Sequence, residues 1–243
     1  MTRGKLILIL SLFTLLSLFS ILSVYYTHQL PTEETETTTL FTYKHTGTYD
    51  YIAKLKPNTI YNQSTLKPGE GILYAGITEY MNTTFSYTFE TTQEANITIE
   101  YNIDLILPKW NKSLNISPQT QLNSIGKIAT FSNTYLINIT EIQELKTALE
   151  EETKARVTDY NVTIRSEIHT IANNNITTID EHFTPTMTIA FNYGTAEGNY
   201  ISTTDLEHTR PNAITDTKII PIPEVMTQRY VSYAFSAITL SAL

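Results

Sequence analysis

The sequence predicts an all-β protein: an antiparallel β-sandwich of immunoglobulin-like architecture with one short α-helix, preceded by a single N-terminal transmembrane helix. Three observations lead there. Leu6 to Tyr26 reads LILILSLFTLLSLFSILSVYY, 21 residues without a charge. At about 1.5 Å rise per residue, such a helix matches a hydrocarbon core roughly 30 Å thick. After it, short segments alternate apolar and polar residues with period two, separated by Pro, Gly and Asn clusters, as half-buried antiparallel strands do. Thr, Tyr and Ile are abundant and Gly is scarce, a strand-favouring composition.

The apolar run can span because a helix satisfies its own backbone groups in lipid. Arg3 and Lys5 precede it, and Glu33, Glu34 and Glu36 follow it. The positive-inside rule then makes residues 1–5 a cytoplasmic tip, residues 6–26 the anchor and the rest of the chain extracytoplasmic. Tyr25 and Tyr26 fall at the headgroup level, where amphipathic aromatics are favoured. A cleaved signal peptide is the competing reading. The run is longer than the usual h-region of about 7–15 residues, and Ser-Val-Tyr-Tyr-Thr-His offers no small-x-small cleavage site, so a retained anchor is expected.

With 16 basic and 24 acidic residues the chain carries −8; setting aside Arg3 and Lys5 leaves 14 basic residues and −10 for the outer part. Nucleic acid and anionic lipid surfaces both demand a basic patch, so neither is an expected partner of that part. There is no cysteine. The domain must rely on its core, and thiolate catalysis, zinc–thiolate sites and iron–sulfur clusters are excluded.

Residues 27–40, THQLPTEETETTTL, cannot bury apolar area and read as an extended Thr-rich stalk. The β domain is expected over 41–225. Tyr49, Tyr51, Ala53 and Leu55 share one face of a strand that stops at Pro57, and Lys67 to Gly71 is a turn cluster. Phe85, Tyr87 and Phe89 mark the next strand. Ile97, Ile99, Tyr101, Ile103, Leu105 and Leu107 mark the clearest one, which Pro108 ends. Trp110 reads as a rim or core filler. A strand over about Lys127–Ile139 keeps Phe131, Tyr135, Ile137 and Ile139 in phase. One helix follows, with Thr140 as N-cap and an Ile142, Leu145, Ala148, Leu149 stripe. A hairpin joins Tyr160–Thr170 to Thr178–Tyr193 through Asn173-Asn174-Asn175, with Pro185 marking an edge or a bulge. A last strand, Tyr200–His208, precedes a poorly patterned stretch through Pro223. Within residues 226–243, Tyr230 to Leu243 is uncharged and too short for an ordinary span. It reads as a terminal strand or as the opening of a second membrane helix, the latter preferred; the protein would then be two-pass.

The run YDYIAKLKPNTIYNQSTL, the turn at Pro68-Gly69, then TEYMNTTFSYTFE, INIT, the helix, YNVTI and FTPTMTIAF together resemble an archaeal family of membrane-anchored proteins classed as a domain of unknown function. The resemblance covers about residues 41–225 and rests on strand and turn patterns, so it carries no catalytic residues. It implies a second membrane helix after the β domain. It also implies, through family members encoded near protein-export components including signal peptidase, an envelope or export setting.

Eight Asn-x-Ser/Thr sequons occur, at Asn62, Asn82, Asn96, Asn111, Asn115, Asn138, Asn161 and Asn175. All fall on the outer side of the expected topology and are candidate glycosylation sites. Strand alternation itself generates this spacing, since positions i and i+2 share a face. One constellation suggests a metal. A turn centred near Asn174–Asn175 would set His169 opposite Asp180 and Glu167 opposite His182, imidazole and carboxylate together as zinc prefers. The competing reading is a solvated face of opposite-charge pairs. His28, His45 and His208 read as isolated and solvated. No Gly-x-Ser-x-Gly elbow, Walker loop, dinucleotide fingerprint or His-Glu-x-x-His is present, so no cofactor is expected. The expected protein is a non-catalytic envelope or adhesion module contacting other membrane or surface proteins. The alternatives are an accessory component of protein export or signal-peptide processing, or a metal-dependent surface hydrolase.

Overall fold

The computed structural model describes residues 3–241. It comprises two compact units, Phe41–Ala213 and a second made of the flanking chain ends, through Leu40 and from Ile214.

Ten strands build one antiparallel sheet: β1 (Glu33–Leu55), β2 (Thr65–Leu66), β3 (Leu73–Tyr74), β4 (Thr78–Leu107), β5 (Lys112–Asn138), β6 (Tyr160–Asn173), β7 (Thr178–Phe183), β8 (Thr186–Thr195), β9 (Gly198–Thr204) and β10 (Glu207–Pro221). The order is β10-β1-β4-β6-β8-β9-β3, with β2 on β1, β5 on β4 and β7 on β6. The expected mostly antiparallel β architecture is present, but its strands join a single, nearly closed sheet where an immunoglobulin-like sandwich has two separate ones.

The reason lies in β4 and β5, which are 30 and 27 residues long. Their ladder pairs Tyr80–Glu90 with Ile128–Asn138, loses register between Glu90 and Ala95, and resumes at Ala95 opposite Gly126. The sequence reading takes the polar stretch Thr91–Glu94 as a break between two strands; it is a bulge within one. Gly126 supplies the φ of 145° at this bend, a conformation open to glycine and costly for other residues. On its other edge β4 pairs first with β1 and then with β6. The long hairpin doubles back on itself there. Tyr101 stacks on Phe131 with ring centroids 3.9 Å apart, and Asn133 Nδ2 donates to Ser117 Oγ at 2.7 Å.

The period-two pattern then fills the interior. Phe85, Tyr87, Phe89, Ile97, Ile99, Ile103 and Leu107 from β4 are buried, with Val162, Ile164 and Ile168 from β6 and Met187, Ile189 and Phe191 from β8. Each such side chain contributes about 1.5–3 kcal/mol on leaving water. Helix α2 (Ile139–Thr153) adds Ile139 and Ile142 to this core. Gln143 of α2 donates to Tyr193 Oη at 3.0 Å, and Lys146 lies over the Tyr160 ring. Its N-cap is Asn138, two residues earlier than the expected Thr140. Asn138 keeps extended backbone, so its Oδ1 accepts from the Thr140 and Glu141 amides at 3.0 and 3.4 Å. The expected strand over 178–193 is divided at Pro185, whose carbonyl accepts from Ser166 N–H. The poorly patterned stretch from Pro211 is part of strand β10, exposed along most of its length and therefore without an apolar signature.

The second unit contains α1 (Arg3–Gln29) and α3 (Pro223–Ser241). Among the described residues, α1 is the one helix long and apolar enough to cross a membrane. Of the expected tip, Arg3–Lys5 belong to α1, while Met1 and Thr2 lie outside the described residues. The expected stalk over 27–40 is replaced by the last turn of α1 and, from Glu33, by β1, whose neighbour in the sheet is β10. Thr-rich sequence suits a strand exposed on both faces once a backbone partner exists. At its base Ile222 N–H donates to Thr32 O at 2.8 Å. The terminal segment is helical, which removes the terminal-strand alternative; Ala242 and Leu243 lie outside the described residues.

α3 runs antiparallel to α1, and their facing surfaces are polar. Ser20 Oγ lies 3.0 Å from Thr239 Oγ1, and Thr27 Oγ1 lies 3.1 Å from Ser232 Oγ. Arg229 donates to the carbonyls of Thr27, His28 and Leu30, satisfying the open C-terminal end of α1. Leu15, Leu18, Phe19 and Leu22 of α1 and Val231 and Ile238 of α3 point away and are exposed.

Candidate functional site

One cluster of ionisable groups runs from the core of the β unit to its surface, with His45 and Tyr43 buried and Glu181 and Arg210 partly exposed. Alternation along β1 turns Phe41, Tyr43, His45, Gly47 and Tyr49 inward. The ladder sets Phe89 beside His45 and Tyr87 beside Gly47. On β7 the inward positions are Ile179, Glu181 and Phe183, so an acid occupies the middle of an apolar face. β10 brings Arg210 and Asn212 to the same place.

The geometry centres on Glu181. Its Oε1 accepts from Tyr43 Oη at 2.5 Å and from Asn212 Nδ2 at 3.0 Å; its Oε2 accepts from an Arg210 guanidinium nitrogen at 2.7 Å. Arg210 also lies over the Phe183 ring at 5.4 Å. His45 has no exposed surface. Its Nδ1 is 2.7 Å from Tyr87 Oη, which is 2.8 Å from Thr170 Oγ1. Its Nε2 is 3.2 Å from Glu181 Oε2 but off the hydrogen-bonding direction, so the contact is charge proximity without an aligned bond. Tyr43, Phe89 and Phe183 close around the imidazole at centroid separations of 5.1–5.9 Å.

Burial, reinforced by the Arg210 charge, pulls the His45 pKa down to about 4, against the opposing pull of Glu181. The imidazole is therefore neutral at physiological pH, with Nδ1 hydrogen-bonded to Tyr87 Oη. Burial pushes the Glu181 carboxyl upward, but the Tyr43 hydroxyl, the Arg210 charge, the adjacent His45 and Asn212 together outweigh it, and its pKa falls below the ordinary value. Tyr43 is raised by burial and by its bond to Glu181. The outcome is a Glu⁻–Arg⁺ pair with a neutral histidine and neutral tyrosines, three strands held by one carboxylate. Tyr43 and Asn212 also form part of the wall of an open groove of about 730 Å³ that runs past Lys44, Lys127 and Ile128.

The sequence reading misses this cluster, although parity could have found most of it. His45 and Tyr43 are in phase with Tyr49 and Tyr51, and Glu181 is in phase with Ile179 and Phe183. His45 is thus core, contrary to the solvated reading. His208 is half-buried, with Nε2 2.7 Å from Thr186 O and 2.9 Å from Asp205 O. His28 Nδ1 is 3.1 Å from Tyr233 Oη.

The expected metal constellation does not assemble as drawn. The β6–β7 register sets His169 opposite His182 and Ile171 opposite Asp180, two residues from expectation. The cause is Asn174, whose Oδ1 accepts from the Ile176 and Thr177 amides and makes a four-residue turn between Asn173 and Thr178. His169 Nε2 meets Asp180 Oδ1 diagonally at 2.7 Å, and the His169 and His182 rings stack at 4.4 Å. Glu167 turns to Arg165 at 2.9 Å. Among the described residues no group of three or more His, Asp or Glu side chains is positioned to hold a metal ion. Of the sequon asparagines, Asn62, Asn82, Asn96, Asn111, Asn115, Asn161 and Asn175 are exposed, while Asn138 is half-buried as the α2 cap.

No family model matches the chain, and no curated protein matches it. Among solved structures it is similar to a crystal structure of a protein from Archaeoglobus fulgidus, at 6% identity, over 67% of this chain and 97% of that one, with a TM-score of 0.28.

Proposed function

We propose that this chain is a membrane-anchored β-domain that works by contact: a non-catalytic interaction or adhesion module of the cell envelope, with its bulk outside the cytoplasm. The observation that carries the reading is the division between its two faces. The acid–base groups of the cluster are spent on one another, Glu181 on Tyr43 and Arg210, with His45 sealed from solvent. The outer face meanwhile exposes large aliphatic side chains along one strand, Ile125 at 85%, Ile128 at 57% and Leu136 at 56%. Aliphatic side chains exposed along a strand with one unpaired edge suit a protein contact. On this reading α3 enters the bilayer beside α1, since facing Ser and Thr side chains are how membrane helices pair, and the exposed sequons carry glycans in a host that makes them.

Protease added to intact cells tests the topology. The β domain is expected to be shaved off, and its survival would place it in the cytosol and overturn the reading. Crosslinking in native membranes tests the contact. Wild type is expected to capture partners that an Ile128→Lys/Leu136→Lys chain does not, and equal capture would reject the β5 face. Mass spectrometry at the bare polypeptide mass of 27.6 kDa would reject glycosylation.

A further inference from the structure

We infer that the second half of β5 is the interface of a two-fold dimer, its occupant being the same segment of a second copy of this chain. Among the described residues β5 pairs with β4 alone, so its other edge carries unpaired N–H and C=O groups along the strand. Such an edge is a template for another strand unless it is guarded. The first half is guarded: Lys112, Pro118, Gly126 and Lys127 supply charge, a missing donor and a bend. The second half, Ile128 to Leu136, reads IATFSNTYL and holds no charge, no proline and no glycine.

The identity of the occupant follows from symmetry. An antiparallel two-fold contact pairs residues about one centre, each patch meeting its own copy. The side chains on the outer face of this segment are Ile128, Thr130, Ser132, Thr134 and Leu136, all exposed. They read the same in both directions about Ser132: aliphatic, Thr, Ser, Thr, aliphatic. Pairing about Ser132 brings Ile128 of each copy against Leu136 of the other, Thr130 against Thr134, and Ser132 against itself. Aliphatic pairs and Thr–Thr pairs directly across strands are both favourable. On the inner face the same centre sets Ala129 against Tyr135 and Phe131 against Asn133, small beside large. No like charges meet. A strand of unrelated sequence would satisfy the backbone groups but would have no reason to match this palindrome. The proposal rests on the contact reading given above and names its partner.

The test uses the full chain in detergent. Light scattering on a sizing column is expected to give the mass of two chains at micromolar concentration. Ser132→Lys and Ser132→Glu each add a charge that is solvated in one copy and opposed by its twin across the axis. Each is expected to weaken dimerisation about tenfold or more, while a mixture of the two recovers the dimer. That recovery separates loss of contact from loss of fold. Ser132→Cys, the only thiol in the chain, is expected to form an intermolecular disulfide on mild oxidation, and Thr178→Cys on β7 is not. A monomeric wild type, a dimer indifferent to Ser132→Lys, or equal crosslinking at both positions would overturn the dimer. A wild type that is monomeric in detergent yet captures other proteins in native membranes would overturn the dimer and leave the broader contact reading standing.

Discussion

Glu181→Gln would keep the shape of the carboxylate and remove its charge, leaving Arg210 facing a neutral amide. Because Glu181 and Arg210 are both partly exposed, the loss is smaller than for a fully buried pair, about 1–2 kcal/mol, read as a lower thermal midpoint. The histidine beside it makes a pH prediction with a definite sign. The native pKa of His45 is depressed to about 4 from its ordinary 6.5, so below pH 6.5 the unfolded chain takes up a proton that the folded chain refuses. This contribution is complete above pH 6.5 and is lost as pH falls toward 4, about 3 kcal/mol in all. Glu181, also depressed, loses its contribution as pH falls below the ordinary carboxylate value. Thermal melts from pH 7 to pH 4 should therefore fall steadily, and His45→Gln should flatten the part between 6.5 and 4; an unchanged slope would rule out this histidine as the source. At this scale the sequence was readable by parity alone. His45 and Glu181 stand at inward positions, but nothing local says that β10 brings Arg210 and Asn212 to meet them.

Gly47 shows what an element needs beyond its pattern. A Cβ there would lie 3.1 Å from Pro185, 3.2 Å from Phe183 and 3.2 Å from Phe85. Its absence lets β1 approach the β7–β8 junction, where Tyr49 Oη donates to Pro185 O at 2.9 Å and lies 2.9 Å from Ser166 Oγ. Gly47→Ala should cost about 1–3 kcal/mol through overpacking, whereas the same change at Gly76, which has nothing within 4 Å, should be near neutral; equal midpoints for the two variants would contradict the crowding. Strand existence was legible at this scale because half-buried strands alternate. Strand length was not. Thr91–Glu94 interrupts the alternation like a loop, yet β4 passes through it, since β5 and the neighbouring strands hold the backbone on either side. β10 was illegible for the opposite reason: it is exposed on both faces, so no periodicity marks it. The β6–β7 register was missed by two residues because one side chain, Asn174, sets the turn.

The helical pair can be tested across the whole chain. The hydroxyls of Ser20 and Thr239 lie 3.0 Å apart, though 219 residues separate them in sequence. The chain has no native cysteine, so a Ser20→Cys/Thr239→Cys chain oxidised in native membranes should form an intramolecular disulfide, and a Ser20→Cys/Ser241→Cys control should form it less readily; no difference between them would reject the pairing. Sequence alone determined the apolar helix, the antiparallel β class and most of the buried residues, because each depends on short-range periodicity and on what a residue loses or gains by leaving water. Tertiary structure alone decided that the strands close into one sheet, that β1 finds β10, that the final apolar stretch lies against α1, and that His45, Glu181 and Arg210 meet. Those outcomes join segments far apart in the chain, where the partner of a backbone group or a charge is chosen by folding and leaves no mark in local composition.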